Sequence, residues 1–249
     1  MPEYSPEQEI VKQSLEELKY ILQWARARGG NEGNPVIVLI GGWAVDSYND
    51  YYGSVDLDLV TNHRTKSRLM WHLLNDRGYE HYRKYGSHGV AKLTPNNKEI
   101  IIDIISRETR DPFEGRTEIL NFHTLDGHTE IRKIRGEGPA AVPTRSLLLL
   151  FKLKAAWDRA YRIENEKSND LEWENGKLIK DYADILALLD YEYGGTDIDI
   201  AFLGEQFTHF EFLKECLERI SDNLDALTKY GRMDRKTAWE TCEKLLLLL

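Results

Sequence analysis

Two aspartates separated by one residue, Asp56 and Asp58, are the first side chains in this sequence whose spacing suggests chemistry. They lie in the alternating segment "SVDLDLV" (54–60), a pattern that predicts a β-strand. Residues i and i+2 of a strand point to the same face, so we expect the two carboxylates to lie side by side. Two such carboxylates repel each other unless a cation bridges them. Hard oxygen ligands of this kind suit Mg²⁺ that is shared with the phosphates of a substrate.

A third acid, Asp103, lies within the apolar segment "EIIIDIIS" (99–106), which also predicts a strand. An aspartate in such surroundings is costly unless it is paired or binds a metal. If the two strands are neighbours, three carboxylates meet at one point and can hold two metal ions, the arrangement used for in-line displacement at phosphorus. The alternatives are a solvent-facing strand edge for Asp56 and Asp58, and a structural partner of a nearby cation for Asp103.

The glycine pair Gly41-Gly42 follows the continuous apolar run "PVIVLI" (35–40), which predicts a strand buried on both sides. Glycines allow the backbone to approach a bulky anionic group closely. A short helix expected from Trp43 would add partial positive charge at its N-terminus, where phosphate binds well. Together with the acids, the order strand, glycine pair, helix and Asp-x-Asp strand indicates a site for a metal-bound phosphate ester.

A second glycine pair, Gly194-Gly195, precedes Asp197 and Asp199. These acids follow the glycines too closely for an intervening helix. We expect Thr196 to cap a helix, with both acids in its first turn. The segment is therefore given no catalytic role.

The remaining pattern predicts an α+β protein in two domains. Residues 1–140 combine helical and strand segments, among them an expected hairpin over 117–134 that turns at Asp126-Gly127. Residues 141–249 carry apolar residues almost entirely at helical spacing, including one expected helix over 210–230. The expected architecture is a small mixed β-sheet flanked by helices, followed by an all-helical C-terminal domain.

These blocks resemble the nucleotidyltransferase superfamily of the DNA polymerase β type, whose hallmark is a glycine-rich turn, an Asp-x-Asp pair and a later third aspartate. The segment "GGWAVD" (41–46) is similar to the opening of aminoglycoside and lincosamide nucleotidyltransferases. "SVDLDL" (54–59) and its distance from the glycines look more like the AbiEii-type family. The helical blocks "KLKAAWDR" (152–159) and "KDYADILALL" (180–189) are similar to that family's Lys and Lys-Asp helices.

The resemblance implies Mg²⁺-dependent transfer of a nucleoside monophosphate from an NTP to a hydroxyl group, with release of pyrophosphate. It further implies that Lys152 contacts a nucleotide phosphate and that Asp181 acts as a general base or orients the acceptor hydroxyl. The catalytic residues expected on this basis are Asp56, Asp58, Asp103 and Asp181; the metal ligands are Asp56, Asp58 and Asp103; and the nucleotide-binding residues are Gly41, Gly42, Trp43, Ser54 and Lys152.

The acceptor stays open at this stage. Tyr51-Tyr52-Gly53 stand where the family often has arginines, and the segment between Arg159 and Lys180 is longer than the toxin-like family suggests. An RNA end, a small molecule and a protein side chain all fit. A different class of function is a non-catalytic, antitoxin-like or binding module that keeps the fold. A metal-dependent phosphohydrolase is disfavoured because the His-Asp pairs of such enzymes are missing.

Composition limits the partners and the compartment. The net charge of −9 disfavours nucleic-acid binding through the field of the whole surface. One region is basic and could contact RNA or a nucleotide tail, although a solvated helix face is the commoner fate of such residues. The widely spaced Cys216 and Cys242, the polar N-terminus and the short apolar run "LLLLF" (147–151) lead us to expect a soluble, cytoplasmic protein without membrane contact. The basic region contains His63, Arg64, Lys66, Arg68, His72, Arg77, His81, Arg83, Lys84 and His88.

Overall fold

The computed structural model describes residues 6–29, 35–83, 89–136 and 138–249, without the side chains of residues 6 and 7. The chain divides into two compact units. The first unit comprises residues 1–109 and 121–143, and the second comprises residues 110–120 and 144–249. Among the described residues, a mixed seven-stranded sheet lies in the first unit and the second unit is mainly helical, so the α+β class predicted from the sequence is confirmed.

The sheet of the first unit has the strand order β3-β4-β5-β2-β1-β7-β6. The β2–β5 and β1–β7 pairs are parallel, and the other neighbouring pairs are antiparallel. A 3₁₀ turn over Phe122–Leu125 precedes β6. The elements are α1 (Pro6–Arg26), β1 (Ile37–Ile40), α2 (Gly41–Asp46), β2 (Leu57–Thr61), α3 (His63–Asp76), β3 (Glu80–Tyr82), β4 (Gly89–Leu93), β5 (Glu99–Ser106), β6 (Thr129–Lys133) and β7 (Pro139–Pro143).

The two faces of the central strands differ. Leu57 pairs with Ile102 across β2 and β5, and both side chains are fully buried. Lys92 on β4 pairs with Ile100, two residues before Ile102 and hence on the same face. The Lys92 ammonium contacts Glu17 of α1 at 3.2 Å. The apolar face of the sheet is therefore the one that α1 covers.

Helix α3 covers that same apolar face. The ring of His72 stacks on Tyr20 of α1, with 5.7 Å between centroids, and their polar atoms lie 2.5 Å apart. Leu69 and Leu73 of α3 are fully buried. Asp58 and Asp103 alternate with the buried leucine and isoleucine residues along their strands, so they point to the opposite face.

The hairpin expected over 117–134 is wrong. A turn does form at Gly127, where φ is +77°, but the residues before it form the 3₁₀ turn and not a strand. Strand β6 instead pairs with β7, a strand that the sequence did not predict and that spans the expected domain division at residue 140. Pro139 and Pro143 lie at the two ends of β7, positions where a strand tolerates the missing N–H group.

The second unit is built from six α-helices in its described residues. The segment 110–120 belongs to this unit, because the indole of Trp157 donates a hydrogen bond to the carbonyl of Glu114 (3.1 Å). The single helix expected over 210–230 is divided. One helix ends at Ile220, and Asn223 caps the next helix by accepting a hydrogen bond from the N–H of Ala226 (2.9 Å). The helices are α4 (Arg145–Glu164), α5 (Leu171–Leu189), α6 (Ile200–His209), α7 (Lys214–Ile220), α8 (Leu224–Tyr230) and α9 (Arg235–Leu248).

Both cysteines lie in the second unit as free, buried thiols. Burial raises the pKa of Cys216 and of Cys242 to about 12, so both stay protonated at neutral pH. Among the helices of the described residues, none combines the length and the apolar character needed to cross a membrane.

Candidate active site

Asp58 and Asp103 are direct neighbours on the sheet. They are register partners in the parallel β2–β5 pair, and adjacent strands lie about 4.8 Å apart. Both side chains are half-buried. Like charges held this close raise the free energy of the site, and a shared cation would lower it. The strand order therefore brings together two of the three acids that the sequence selected.

Gly41 lies against the carboxylate of Asp58. Ile40, the preceding residue, is the register partner of Asp58 in the antiparallel β1–β2 pair. A Cβ atom built on Gly41 would overlap Oδ2 of Asp58, and the backbone of Gly41 has φ +68°, a conformation that favours glycine. Helix α2 begins at Gly41 itself, two residues earlier than expected, and is six residues long.

Gly42 makes a second close approach, to Ser54. A Cβ atom on Gly42 would lie 2.9 Å from both Cβ and Oγ of Ser54. The adjoining Gly53 has φ +83° and turns the chain toward β2. The glycine pair thus admits two side chains of the protein itself, Asp58 and Ser54, next to the first turn of α2. The sequence predicted close approach at the glycines, but the partner it suggested was a phosphate.

Asp56 directly precedes β2 and is half-buried. In the part of the chain that the structure describes, no three or more His, Cys, Asp or Glu side chains converge as a metal-binding group. The chemistry of the donors nevertheless fits a hard cation, since Asp58 and Asp103 are carboxylates on neighbouring backbone positions with Asp56 two residues away.

Trp43, a predicted nucleotide-binding residue, has a fully buried side chain. Its indole N–H donates a hydrogen bond to Oγ of Ser14 on α1 (3.0 Å). The ring therefore belongs to the core of the first unit, and only the backbone of Trp43 remains to contact a ligand. The sequence alone does not show whether the side chain of Trp43 is part of the core or binds a nucleotide.

Lys152 and Asp181 form a buried ion pair within the second unit. The Lys152 ammonium lies 2.8 Å from Asp181 and 2.7 Å from Asp184. Burial opposes the charge of Lys152, but these two carboxylates outweigh it and raise its pKa well above the ordinary value. Lys180 also pairs with Asp184. Both predicted residues are therefore internal to a charge network and do not lie on a solvated helix face.

Asp181 is held by two cations. Its second partner is Arg159, whose Nε lies 2.8 Å from Oδ2. Burial would raise the pKa of Asp181, but the charges of Lys152 and Arg159 lower it to about 2. A carboxylate this acidic accepts a proton poorly near neutral pH. The arrangement favours a role for Asp181 in positioning Lys152 and Arg159 over that of general base.

The network extends along the long segment between Arg159 and Lys180, most of which is helical. Glu174 on α5 accepts hydrogen bonds from Arg159 (2.9 Å) and from Arg162 (2.8 Å). Burial works against the charge of Glu174, but these arginines lower its pKa below the ordinary value. This segment is longer than the toxin-like family suggests, and through Glu174 it anchors α5 to α4.

Sequence reasoning missed Gly89 and Arg135 in the first unit. A Cβ atom on Gly89 would overlap the carbonyl of Ile102 and lie 3.0 Å from Oδ1 of Asp103. Arg135 binds Asp46, the buried last residue of α2, through Nε (3.0 Å) and a terminal nitrogen (2.9 Å). No local pattern marks either residue, because each acts on a residue distant in sequence.

The second glycine pair has the structural role that was expected, with two corrections. Asp199, and not Thr196, caps α6, since its carboxylate accepts a hydrogen bond from the N–H of Phe202 (3.0 Å). Gly195 is tightly packed: a Cβ atom there would overlap the carbonyl of Leu189. Thr196 and Asp197 instead lie in a 3₁₀ turn over Gly195–Asp197, so Asp197 is not in the first turn of α6.

The basic region is not one continuous surface in the described residues. His72 and Arg77 serve internal contacts, since His72 bonds to Tyr20 and Arg77 contacts Glu17 at 3.0 Å. Arg64 and Arg68 are exposed on α3. Lys84 and His88 lie outside the residues that the structure describes.

No protein-family model matches the chain, and no curated protein matches it. Among solved structures, the chain is similar to an antigenic nucleotidyltransferase-like protein from Paracoccidioides brasiliensis. The sequences are 15% identical, the match covers 72% of this chain and 76% of that chain, and the TM-score is 0.44.

Proposed function

We propose that this chain is a nucleotidyltransferase that transfers a nucleoside monophosphate from an NTP to a hydroxyl acceptor and releases pyrophosphate. The observation that carries the proposal is the facing pair Asp58 and Asp103, with the Asp58 carboxylate packed against Gly41 at the start of α2. Carboxylates on neighbouring strand positions are hard oxygen donors that a divalent cation can bridge, which is why we assign metal binding to this pair.

Asp58 and Asp103, joined by Asp56, would hold Mg²⁺. The ion would supply charge neutralisation for the triphosphate and a template for displacement at its α-phosphorus. The remaining contribution of the protein is to fix the carboxylates. Gly41 and Gly42 do this by letting Asp58 and Ser54 approach the backbone of α2 more closely than any other residue would allow.

The test is label transfer. The protein is incubated with each α-³²P-labelled NTP and Mg²⁺, together with total RNA, a panel of hydroxylated small molecules, or no added acceptor. We expect label on one acceptor class with stoichiometric pyrophosphate. Asp58→Asn and Asp103→Asn should abolish the transfer. Asp197→Asn is the matched control, because it removes an exposed acid from the second Asp-x-Asp segment.

Undiminished transfer by Asp58→Asn would contradict the proposed site. NTP binding without transfer to any acceptor would instead favour the alternative of a non-catalytic binding module. The same assay would identify the base of the NTP, and a metal titration would give the number of metal ions.

A further inference from the structure

We propose that the outer face of α3 is a docking surface for single-stranded nucleic acid, formed by Arg64, Arg68 and Trp71. The three residues are spaced at i, i+4 and i+7, so they lie on one side of the helix. Leu69 and Leu73 form the opposite, fully buried side. The docking surface is thus the face of α3 that points away from the sheet.

Exposure and missing charge partners are the first support. Trp71 is 62% exposed, one of the most exposed large apolar side chains in the described residues. Arg64 and Arg68 are exposed, and neither forms an ion pair with a described carboxylate. Other arginines of the same unit are engaged, as in the contacts of Arg77 with Glu17 and of Arg135 with Asp46. Two unneutralised guanidinium groups therefore flank an uncovered indole.

The position of the charges along α3 is the second support. The first turn of the helix carries His63, Arg64 and Lys66 and no acid, although the helix dipole favours acidic residues there. Before Asp76, α3 contains no acidic residue at all, in a chain with net charge −9. The sequence thus accepts a local cost in helix stability to keep this surface positive.

A nucleic-acid strand matches both features at once. Its phosphates pair with guanidinium groups, and its bases stack on an exposed indole regardless of sequence. Residues four apart on a helix rise by about 6 Å, a spacing that allows successive phosphates to be contacted. An acidic peptide would pair with the arginines, but its carboxylates would not stack on the indole. An anionic membrane would need more apolar surface than one tryptophan supplies.

The docking surface is separate from the carboxylates. Helix α3 covers the apolar face of the sheet, whereas Asp58 and Asp103 point to the opposite face. A nucleotide bound at the carboxylates would therefore lie on the other side of the sheet from Trp71. The row of two arginines and an indole along α3 matches successive phosphates and a base of one strand, which is why we assign it to a polymer. Binding at α3 does not depend on the proposed transfer reaction, and the two can be tested apart.

The experiment measures fluorescence anisotropy of a labelled, mixed-sequence single-stranded RNA 12-mer with the full chain. Trp71→Ala should weaken binding by at least about fivefold, the lower end for a base–aromatic stack, while Trp71→Phe should keep most of it. Trp239→Ala is the matched control, because Trp239 is a 52% exposed tryptophan on α9. Arg235, on the same helix as Trp239, forms an ion pair with Asp222. The described surface around Trp239 therefore lacks an unneutralised arginine of the kind that lies beside Trp71.

Salt dependence gives an independent reading. The double variant Arg64→Ala/Arg68→Ala should lower the slope of log K against log salt by about 1.4, roughly 0.7 for each lost phosphate contact on a single strand. Asp58→Asn should bind the RNA like the wild type, even if it has lost nucleotide transfer. The inference is overturned if the wild type binds poly-glutamate or duplex RNA as well as the single strand. It is equally overturned if Trp71→Ala binds the single strand like Trp239→Ala.

Discussion

The carboxylate of Asp58 occupies the space where Gly41 would carry a side chain. The contact joins the end of β1 to the start of β2, and Asp58 faces Asp103 on the next strand. Gly41 therefore does two things at once: it adopts φ +68°, and it leaves room for a charged group. The position of the proposed metal ligand depends on a residue with no side chain of its own.

Gly41→Ala should displace Asp58 and weaken metal binding strongly. The new Cβ overlaps Oδ2, so the carboxylate must move or the backbone must shift. We expect at least a tenfold loss of Mg²⁺ affinity with the fold retained, measured by calorimetric titration. Gly78→Ala is the control, because Gly78 has φ +69° and nothing within 4 Å of its would-be Cβ. Equal effects of the two variants would show that backbone strain alone, and not the Asp58 contact, is responsible.

Asp103→Asn should change how the protein responds to Mg²⁺. Without divalent metal, the variant removes one of two facing carboxylates, so its melting temperature should equal or exceed that of the wild type. With saturating Mg²⁺, the wild type should gain stability by mass action, whereas the variant should gain little. Thermal melting with and without Mg²⁺ measures both. A metal-induced shift of equal size in Asp103→Asn would remove Asp103 from the site.

The parts of the candidate site that depend on local sequence patterns could be predicted. The buried run before Gly41, the alternation around Asp58 and the apolar strand around Asp103 each follow from local periodicity. The adjacency of β2 and β5 does not, because strand order depends on contacts between segments more than forty residues apart. From the sequence, the meeting of Asp58 and Asp103 could be predicted only on the condition that their strands are neighbours.

Two other features of the fold could not be predicted from the sequence, each for its own physical reason. Strand β7 is short and bounded by Pro139 and Pro143, so its pattern resembles a linker until its pairing with β1 and β6 is known. The buried pair of Lys152 and Asp181 has the helical spacing of surface charges. A side chain's type does not reveal burial when its partner lies on another helix.

Trp43→Phe should reduce stability and leave nucleotide affinity nearly unchanged. The substitution removes the hydrogen bond to Ser14, leaves that buried hydroxyl unpaired, and creates a small cavity, which together cost about 2–3 kcal/mol. Chemical denaturation and NTP titration measure the two effects. Ser14→Ala in the same background should recover part of the loss. A large drop in NTP affinity at full stability would show that the indole contacts the nucleotide after all.

The last prediction concerns the pH dependence of the second unit. The ordinary pKa of an aspartate is 3.8, and the cations around Asp181 lower it to about 2 in the folded protein. A group with a lowered pKa stabilises the fold above its unfolded pKa, and this contribution disappears as the pH falls through the folded value. Asp181 should therefore contribute about 2 kcal/mol above about pH 4 and progressively less below it.

Asp181→Asn isolates this contribution because asparagine does not titrate. The difference in free energy of unfolding between wild type and variant should be largest above about pH 4 and should shrink toward pH 2. Urea denaturation across that range measures it. The amide still accepts a hydrogen bond from Lys152, so the variant should fold at neutral pH, although Lys152 and Arg159 each lose a charged partner. A difference that stays constant with pH would mean that Asp181 is not the carboxylate that the two cations keep ionised.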